Sequence, residues 1–275
     1  MGIDEEENWM TDDLVAATAA EPVGNGRFRM RVPAGWYQGR GAYGGLVFGA
    51  ITRALMATEE DPGRFLRYLT AVLAAPVEKG EAMIETRTVR RGSGVTVFEA
   101  TVIQNGQAAA TATAIFGKTR SDDRRWTSLA APETVSWKDV DIFPLGAPMA
   151  PEFTQYFEFR NMGPLPFSLA KDPSAAGFLR PHRIPSAIGA PEIVAYADAW
   201  WPSTLAIDAA PRPTATIAYT IQLFEPKSPI PPDLPLRYRA KAVAAQDGYV
   251  LEVRELWTLT GELVAINEQT FVIIR

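Results

Sequence analysis

The longest apolar segment of the chain runs from Gly44 to Ala57, a Gly-Gly step into a stretch of helical length interrupted only by Thr52 and Arg53. A helix that is apolar on nearly every side has to be buried on nearly every side. Before it, Asp12 and Asp13 precede an Ala-rich run, Leu14 to Ala20, which reads as a short helix with acidic residues at its start. Phe28 to Val32 then alternates with period two, as a half-buried strand does, and Pro33-Ala34-Gly35 ends it. After the long helix, Phe65–Ala74, Glu81–Arg90, Val95–Ile103 and Ala108–Phe116 read as four strands. The Gln104-Asn105-Gly106 step between the last two is a hairpin signal, so the set is expected to be antiparallel.

The same order then starts again. Tyr156–Arg160 alternates as a strand, Ala190–Trp200 is an apolar run of helical length that carries Asp198, and Pro202 marks its end. Thr214–Phe224, Leu236–Ala245, Tyr249–Leu259 and Leu263–Ile274 follow as four more strands. The final turns, Asn105-Gly106-Gln107 and Thr260-Gly261-Glu262, superpose, and Pro76 matches Pro226. Similar offsets throughout are what two copies of one unit produce. The expectation is an α+β double hotdog, two central helices each wrapped by an antiparallel β-sheet, with the two sheets joined edge to edge so that two sheet edges are hidden. The units are placed at residues 10–120 and 151–275, with a Pro-, Trp- and charge-rich linker over 121–150.

Composition narrows the function. A net charge of −5 and the absence of any basic run with interleaved aromatics argue against nucleic acid as a partner. There are no cysteines, which excludes disulfides, thiolate metal sites and a Cys nucleophile together. His182 is the sole histidine, so a Ser-His-Asp triad, a His-ligated zinc or a hydratase-type Asp-His pair would all have to pass through it. It lies in the Pro-rich stretch Arg180–Pro185 and reads as a loop histidine without a chemical role. Gly39-x-Gly41-x-x-Gly44 matches a dinucleotide fingerprint in form, but Pro33 to Gly35 part it from the preceding strand and no βα alternation follows. An acidic start, Met1 to Asn8, and Arg53 inside the longest apolar run leave neither a signal peptide nor a membrane span, and a cytoplasmic location is expected.

Several stretches resemble acyl-CoA thioesterase II and its thioesterase-like relatives. In the first half they are Gly44-Gly45 with its helix, Val89–Ser93 through Phe98-Glu99-Ala100, and Ile103–Gln107. In the second half they are Tyr196-Ala197-Asp198, Ala215-Thr216-Ile217, and Val264-Ala265 followed by Glu268-Gln269. The resemblance implies an acyl-CoA thioesterase in which Asp198, Thr216 and Gln269 hold the attacking water. The residue types suit that task, since a carboxylate accepts a proton while Thr and Gln fix orientation. It further implies substrate-binding and oxyanion contacts from the helix start, Gly44, Gly45 and Leu46, through backbone N–H groups. No metal and no cofactor are implied, CoA being part of the substrate, and a homo-oligomer is expected. The first half has Ala114 in the place of Gln269, so one half carries the polar groups. The strand Tyr68–Val72 and the loops around 160–185 depart from the family pattern. The alternative is a hotdog protein that binds acyl thioesters or other hydrophobic ligands without turnover.

Overall fold

The computed structural model describes residues 10–122, 124–133, 135–146 and 148–274; the acidic start of the chain lies outside them. The element order is α1 (Leu14–Ala17), β1 (Glu21–Gly24), β2 (Arg27–Val32), β3 (Tyr37–Gln38), β4 (Gly41–Ala42), α2 (Gly44–Thr58), β5 (Arg64–Leu73), β6 (Gly80–Arg91), β7 (Val95–Gln104) and β8 (Gln107–Lys118). It continues with β9 (Phe157–Asn161), β10 (Ser174–Pro181), α3 (Ala190–Asp198), β11 (Thr214–Leu223), β12 (Leu236–Gln246), β13 (Tyr249–Trp257) and β14 (Leu263–Ile273).

Twelve strands form one antiparallel sheet in the order β1-β2-β6-β7-β8-β5-β11-β14-β13-β12-β10-β9. The order is a palindrome: the second six strands repeat the first six, turned about the β5–β11 junction. There Tyr68–Val72 pairs antiparallel with Ala218–Gln222, and Thr70 lies opposite Thr220 at the centre. The two threonine hydroxyls are 3.0 Å apart. Joining the halves this way hides one sheet edge of each, β5 and β11, and leaves β1 and β9 as the edges of the whole.

The helices pack antiparallel against each other inside the curved sheet. Gly45 and Gly49 make the close approach possible: a Cβ on Gly45 would stand 2.7 Å from the Ala195 carbonyl oxygen, and one on Gly49 would stand 3.4 Å from the Pro191 carbonyl oxygen and 2.8 Å from the Thr18 methyl at the end of α1. Eleven residues of α2 are buried, including Leu46, Val47, Phe48 and Ile51, as its all-round apolar pattern requires. Arg53 escapes burial cost by pairing with Glu192 of α3.

Three features go beyond the sequence pattern. β10 falls where no strand was expected, because Ser174-Ala175-Ala176-Gly177 lacks the β-branched and aromatic residues that mark strands. Gly177 is needed there, since a Cβ would meet the Arg160 carbonyl oxygen at 2.1 Å and the Trp200 ring at 2.6 Å. The segment 121–150 does not hang free: Arg237 donates to the Pro132 carbonyl at 3.2 Å, Arg239 to that of Ala130 at 2.8 Å, and the Phe143 amide to that of Phe159 at 2.7 Å. On β13 the residues Val250, Glu252, Arg254 and Leu256 are buried, where apolar alternation alone would equally well have chosen Leu251 and Val253, which are only partly covered.

Candidate active site

Antiparallel packing brings the C-terminal end of α3 to the N-terminal end of α2. Asp198, the last residue of α3, is 7 % exposed. Its Oδ2 lies 2.7 Å from the point where a Gly44 Cβ would stand, so glycine is what lets the carboxylate reach the helix start. The Gly45 amide acts on the carboxylate and favours its charged form, as the free donors of a helix N-terminus do.

β14 and β11 supply the rest. Gln269 and Asn267 point inward from alternate positions of β14 and are each 1 % exposed. Gln269 Nε2 donates to Asp198 Oδ1 at 2.9 Å and to Asn267 Oδ1 at 2.9 Å. Thr216 of β11 donates from Oγ1 to Gln269 Oε1 at 3.2 Å. Asn267 Nδ2 in turn donates to the Thr220 carbonyl at 2.8 Å, which fixes the orientation of both amides. Thr216 reaches the line because β11 bulges between Thr216 and Ala218 in its pairing with β14. The structure thus brings Asp198, Thr216 and Gln269 into one hydrogen-bonded line against Gly44 and Gly45. Leu46 has its amide committed, donating to the Tyr43 carbonyl at 3.0 Å.

Two charged residues here escaped the sequence reading. Arg254 of β13, its side chain 1 % exposed, lies 3.8 Å from Asp198 Oδ1 and donates to the Ala197 carbonyl at 3.0 Å. Its Nε donates to Glu252 Oε1 at 2.7 Å, and Glu252 Oε2 accepts from both the amide and the hydroxyl of Ser203 at 2.6 Å. The signal was present in the sequence: two charged residues two apart, flanked by Val250 and Leu256 on the same strand face. Buried charges survive only when paired and hydrogen-bonded, and each of these is.

Burial pushes the Asp198 carboxyl up to about 6, against the opposing pull of Arg254, the Gln269 amide and the Gly45 amide. Burial would lower the pKa of Arg254, but Tyr238, Glu252 and Asp198 outweigh it and keep the guanidinium charged. A carboxylate that titrates close to neutrality can both take and return a proton there. His182 is exposed beyond the end of β10, away from this cluster. Among the described residues no group of three or more His, Asp or Glu side chains is placed to hold a metal ion, and no helix is long and apolar enough to cross a membrane.

A curved antiparallel sheet around packed helices, with its polar groups at one helix end, defines a hotdog-fold protein. Residues 32–117 match the model of the acyl-CoA thioesterase N-terminal domain, and residues 122–273 that of the acyl-CoA thioesterase C-terminal domain. The chain belongs to the acyl-CoA thioesterase family. Its fold is similar to that of a conserved hot dog-fold protein of unknown function from Alicyclobacillus acidocaldarius, at 24% identity and a TM-score of 0.86 over 95% of this chain and 98% of that one. It is also similar to a protein assigned as thioesterase II from Thermobifida fusca, at 20% identity and 0.80 over 95% and 97%. The acyl-CoA thioesterase II TesB2 of Mycobacterium marinum aligns at 16% identity and 0.76 over 95% and 98%. No curated protein sequence matches the chain.

Proposed function

We propose that the protein is a double hotdog that hydrolyses acyl-CoA thioesters with a water held by Asp198, Gln269 and Thr216. The observation that carries this reading is the buried Asp198 carboxylate, hydrogen-bonded to Gln269 and set against the start of α2. Both donors of the Gln269 amide are already used, so Gln269 meets the water as an acceptor through the second lone pair of Oε1. A water that donates one hydrogen to Asp198 and the other to Gln269 Oε1 or Thr216 Oγ1 has its lone pair left for the thioester carbon. Asp198 takes a proton as the C–O bond forms, and the carbonyl electrons move onto oxygen. The oxyanion lies against the first turn of α2, where the helix dipole favours negative charge; the Gly45 amide itself is engaged with Asp198. Collapse breaks the C–S bond, and the proton on Asp198 passes to the departing CoA thiolate. The products are the free acid and CoA. Arg254 is a positioning residue: it keeps Asp198 ionisable inside the protein.

The test is hydrolysis of a panel of acyl-CoAs, read as thiol release, by the wild type and Asp198→Asn. Thiol release that depends on Asp198 is expected. Tight acyl-CoA binding with no release by the wild type would leave a binding protein in its place.

A further inference from the structure

A cavity of about 530 Å³ opens at the other end of the helix pair, where α2 ends and α3 begins. We propose that it is a second acyl site, which holds an acyl chain bearing a carbonyl or carboxylate head and does not hydrolyse it. The proposal goes beyond the hydrolytic site and stands on different residues.

The two-fold relation of the sheet identifies the place. Tyr219 faces Gln269 across β11–β14 as Leu69 faces Ala114 across β5–β8, so Ala114 stands where Gln269 does in the other half. One step across the sheet, Glu252 faces Gln269 as Phe98 faces Ala114, and Arg254 faces Asn267 as Ala100 faces Ala112. The β-bulge before Ala218 recurs before Tyr68, which puts Leu66 in the position of Thr216 and Phe116 in that of Phe271. Between the helices, the approach of Gly45 to the Ala195 carbonyl mirrors that of Gly49 to the Pro191 carbonyl. The same exchange sets Thr52 opposite Asp198, and Thr52 spends its hydroxyl on the Phe48 carbonyl of its own helix at 2.8 Å.

Every polar group of the catalytic line is therefore replaced, while the space remains. Leu66, Phe116, Ile188, Ile193, Leu223 and Phe224 line the cavity. Its volume falls within the range of about 300–1,000 Å³ typical of small-molecule sites. The carboxylates around it are held by cations: Glu192 at the start of α3 pairs with Arg53, and of those that line the cavity Glu59 pairs with Arg91, Asp61 with Lys118 at 2.7 Å and Glu225 with Arg67 at 2.9 Å. The cavity also has a handle for a head group. Arg64 lines it with a side chain only 6 % exposed, its guanidinium between the Asp61 and Glu59 carboxylates at 3.5 and 3.8 Å, and its Nε makes no hydrogen bond among the described residues. A buried guanidinium N–H without a partner is costly unless something accepts from it. The carbonyl of an acyl thioester or the carboxylate of a free acid would do so. Apolar walls that take a chain, with the cationic donors Arg64 and Lys227 beside them, are the chemistry of an acyl ligand.

The experiment is titration with cis-parinarate, a fatty acid whose fluorescence rises in apolar surroundings. It uses the wild type, Asp198→Asn, and two variants that fill the cavity from different sides, Leu223→Trp and the more exposed Met56→Trp. The wild type and Asp198→Asn are expected to bind the same number of equivalents, and each filled variant one fewer or that one at least tenfold more weakly. Displacement of this equivalent by the thioether S-dodecyl-CoA assigns it to a CoA ester; displacement by dodecanoate alone assigns it to the free acid. The same stoichiometry and affinity in both filled variants, with their folds intact by circular dichroism, overturns the proposal. So does failure of both competitors. Because the readout is binding, a wild type that hydrolyses nothing but keeps this equivalent would refute the hydrolytic reading alone.

Discussion

Replacing Asp198 by Asn keeps the shape of the side chain and removes the oxygen that can take a proton. Two effects of opposite sign should follow. Turnover of acyl-CoA falls by roughly 10²- to 10⁴-fold, the usual worth of a positioned general base. Stability behaves differently. The carboxyl titrates near 3.8 in the unfolded chain and at about 6 in the folded one, so at pH 8 its ionised form costs the native state roughly 3 kcal/mol. The native state holds its proton more tightly, so this group favours folding most below pH 3.8. That advantage is lost as pH rises through about 6. Asn carries no such charge, but its NH₂ must face either Gln269 Nε2 or the Gly45 amide, and that donor-to-donor contact takes back about 1–3 kcal/mol of the gain. Arg254 loses a partner 3.8 Å away but keeps Glu252 at 2.7 Å and the Ala197 carbonyl at 3.0 Å. The variant should therefore melt no lower than the wild type at pH 8, with a gain of up to about 2 kcal/mol, and that gain should be lost as pH falls toward 4. The assay pairs thiol release with thermal melts at pH 4.5, 6 and 8. Full activity in the variant refutes the base assignment. A melting temperature that drops at pH 8, with activity lost in proportion, refutes the energetic argument.

In the wild type, kcat/KM should rise about tenfold per pH unit below the Asp198 value of about 6 and level off above it; a profile flat from pH 4.5 to 8 would exclude Asp198 as the titrating base. Thr216→Val and Gln269→Leu should each cost less than Asp198→Asn, and adding either to Asp198→Asn should cost little more, because residues serving one water are not additive; three equal and independent losses would contradict a shared water. Arg254→Met should leave Glu252 buried without its cation and destabilise by about 3–5 kcal/mol. In whatever folded fraction remains, the pH midpoint of activity should move upward, and a midpoint left in place would show that Arg254 does not act on Asp198. Gly45→Ala should lower the melting temperature, since the new Cβ would meet the Tyr43 hydroxyl at 2.3 Å and the Ala195 carbonyl at 2.7 Å; an unchanged melt would show that the helix contact yields more easily than the structure implies.

Local pattern was enough for most of the architecture. Period-two alternation marks β2, β5 to β8 and β11 to β14, the all-round apolar run marks α2, and the recurrence of turns after each set marks the repeat. These are properties of neighbouring residues and survive without tertiary information. The repeat even located the asymmetry, because matching turns sets Ala114 against Gln269. What neighbours cannot specify is which groups meet from opposite ends of the chain. Asp198 is a terminal residue of one helix and Gly44 the first of another, and their contact depends on glycine letting the helices close. The sequence offers Gly45 only as a backbone donor, whereas its lack of a side chain also serves the packing against Ala195. The inward face of β13 was undecidable from alternation, because both faces carry apolar residues; the ion pairs that Glu252 and Arg254 find only in the folded protein make their burial tolerable. β10, rich in Ala and Gly, becomes a strand because β9 and β12 offer it hydrogen bonds on both sides. The cavity at the far helix end likewise belongs to no single segment, being lined from α2, β5, β8, α3 and β11 together.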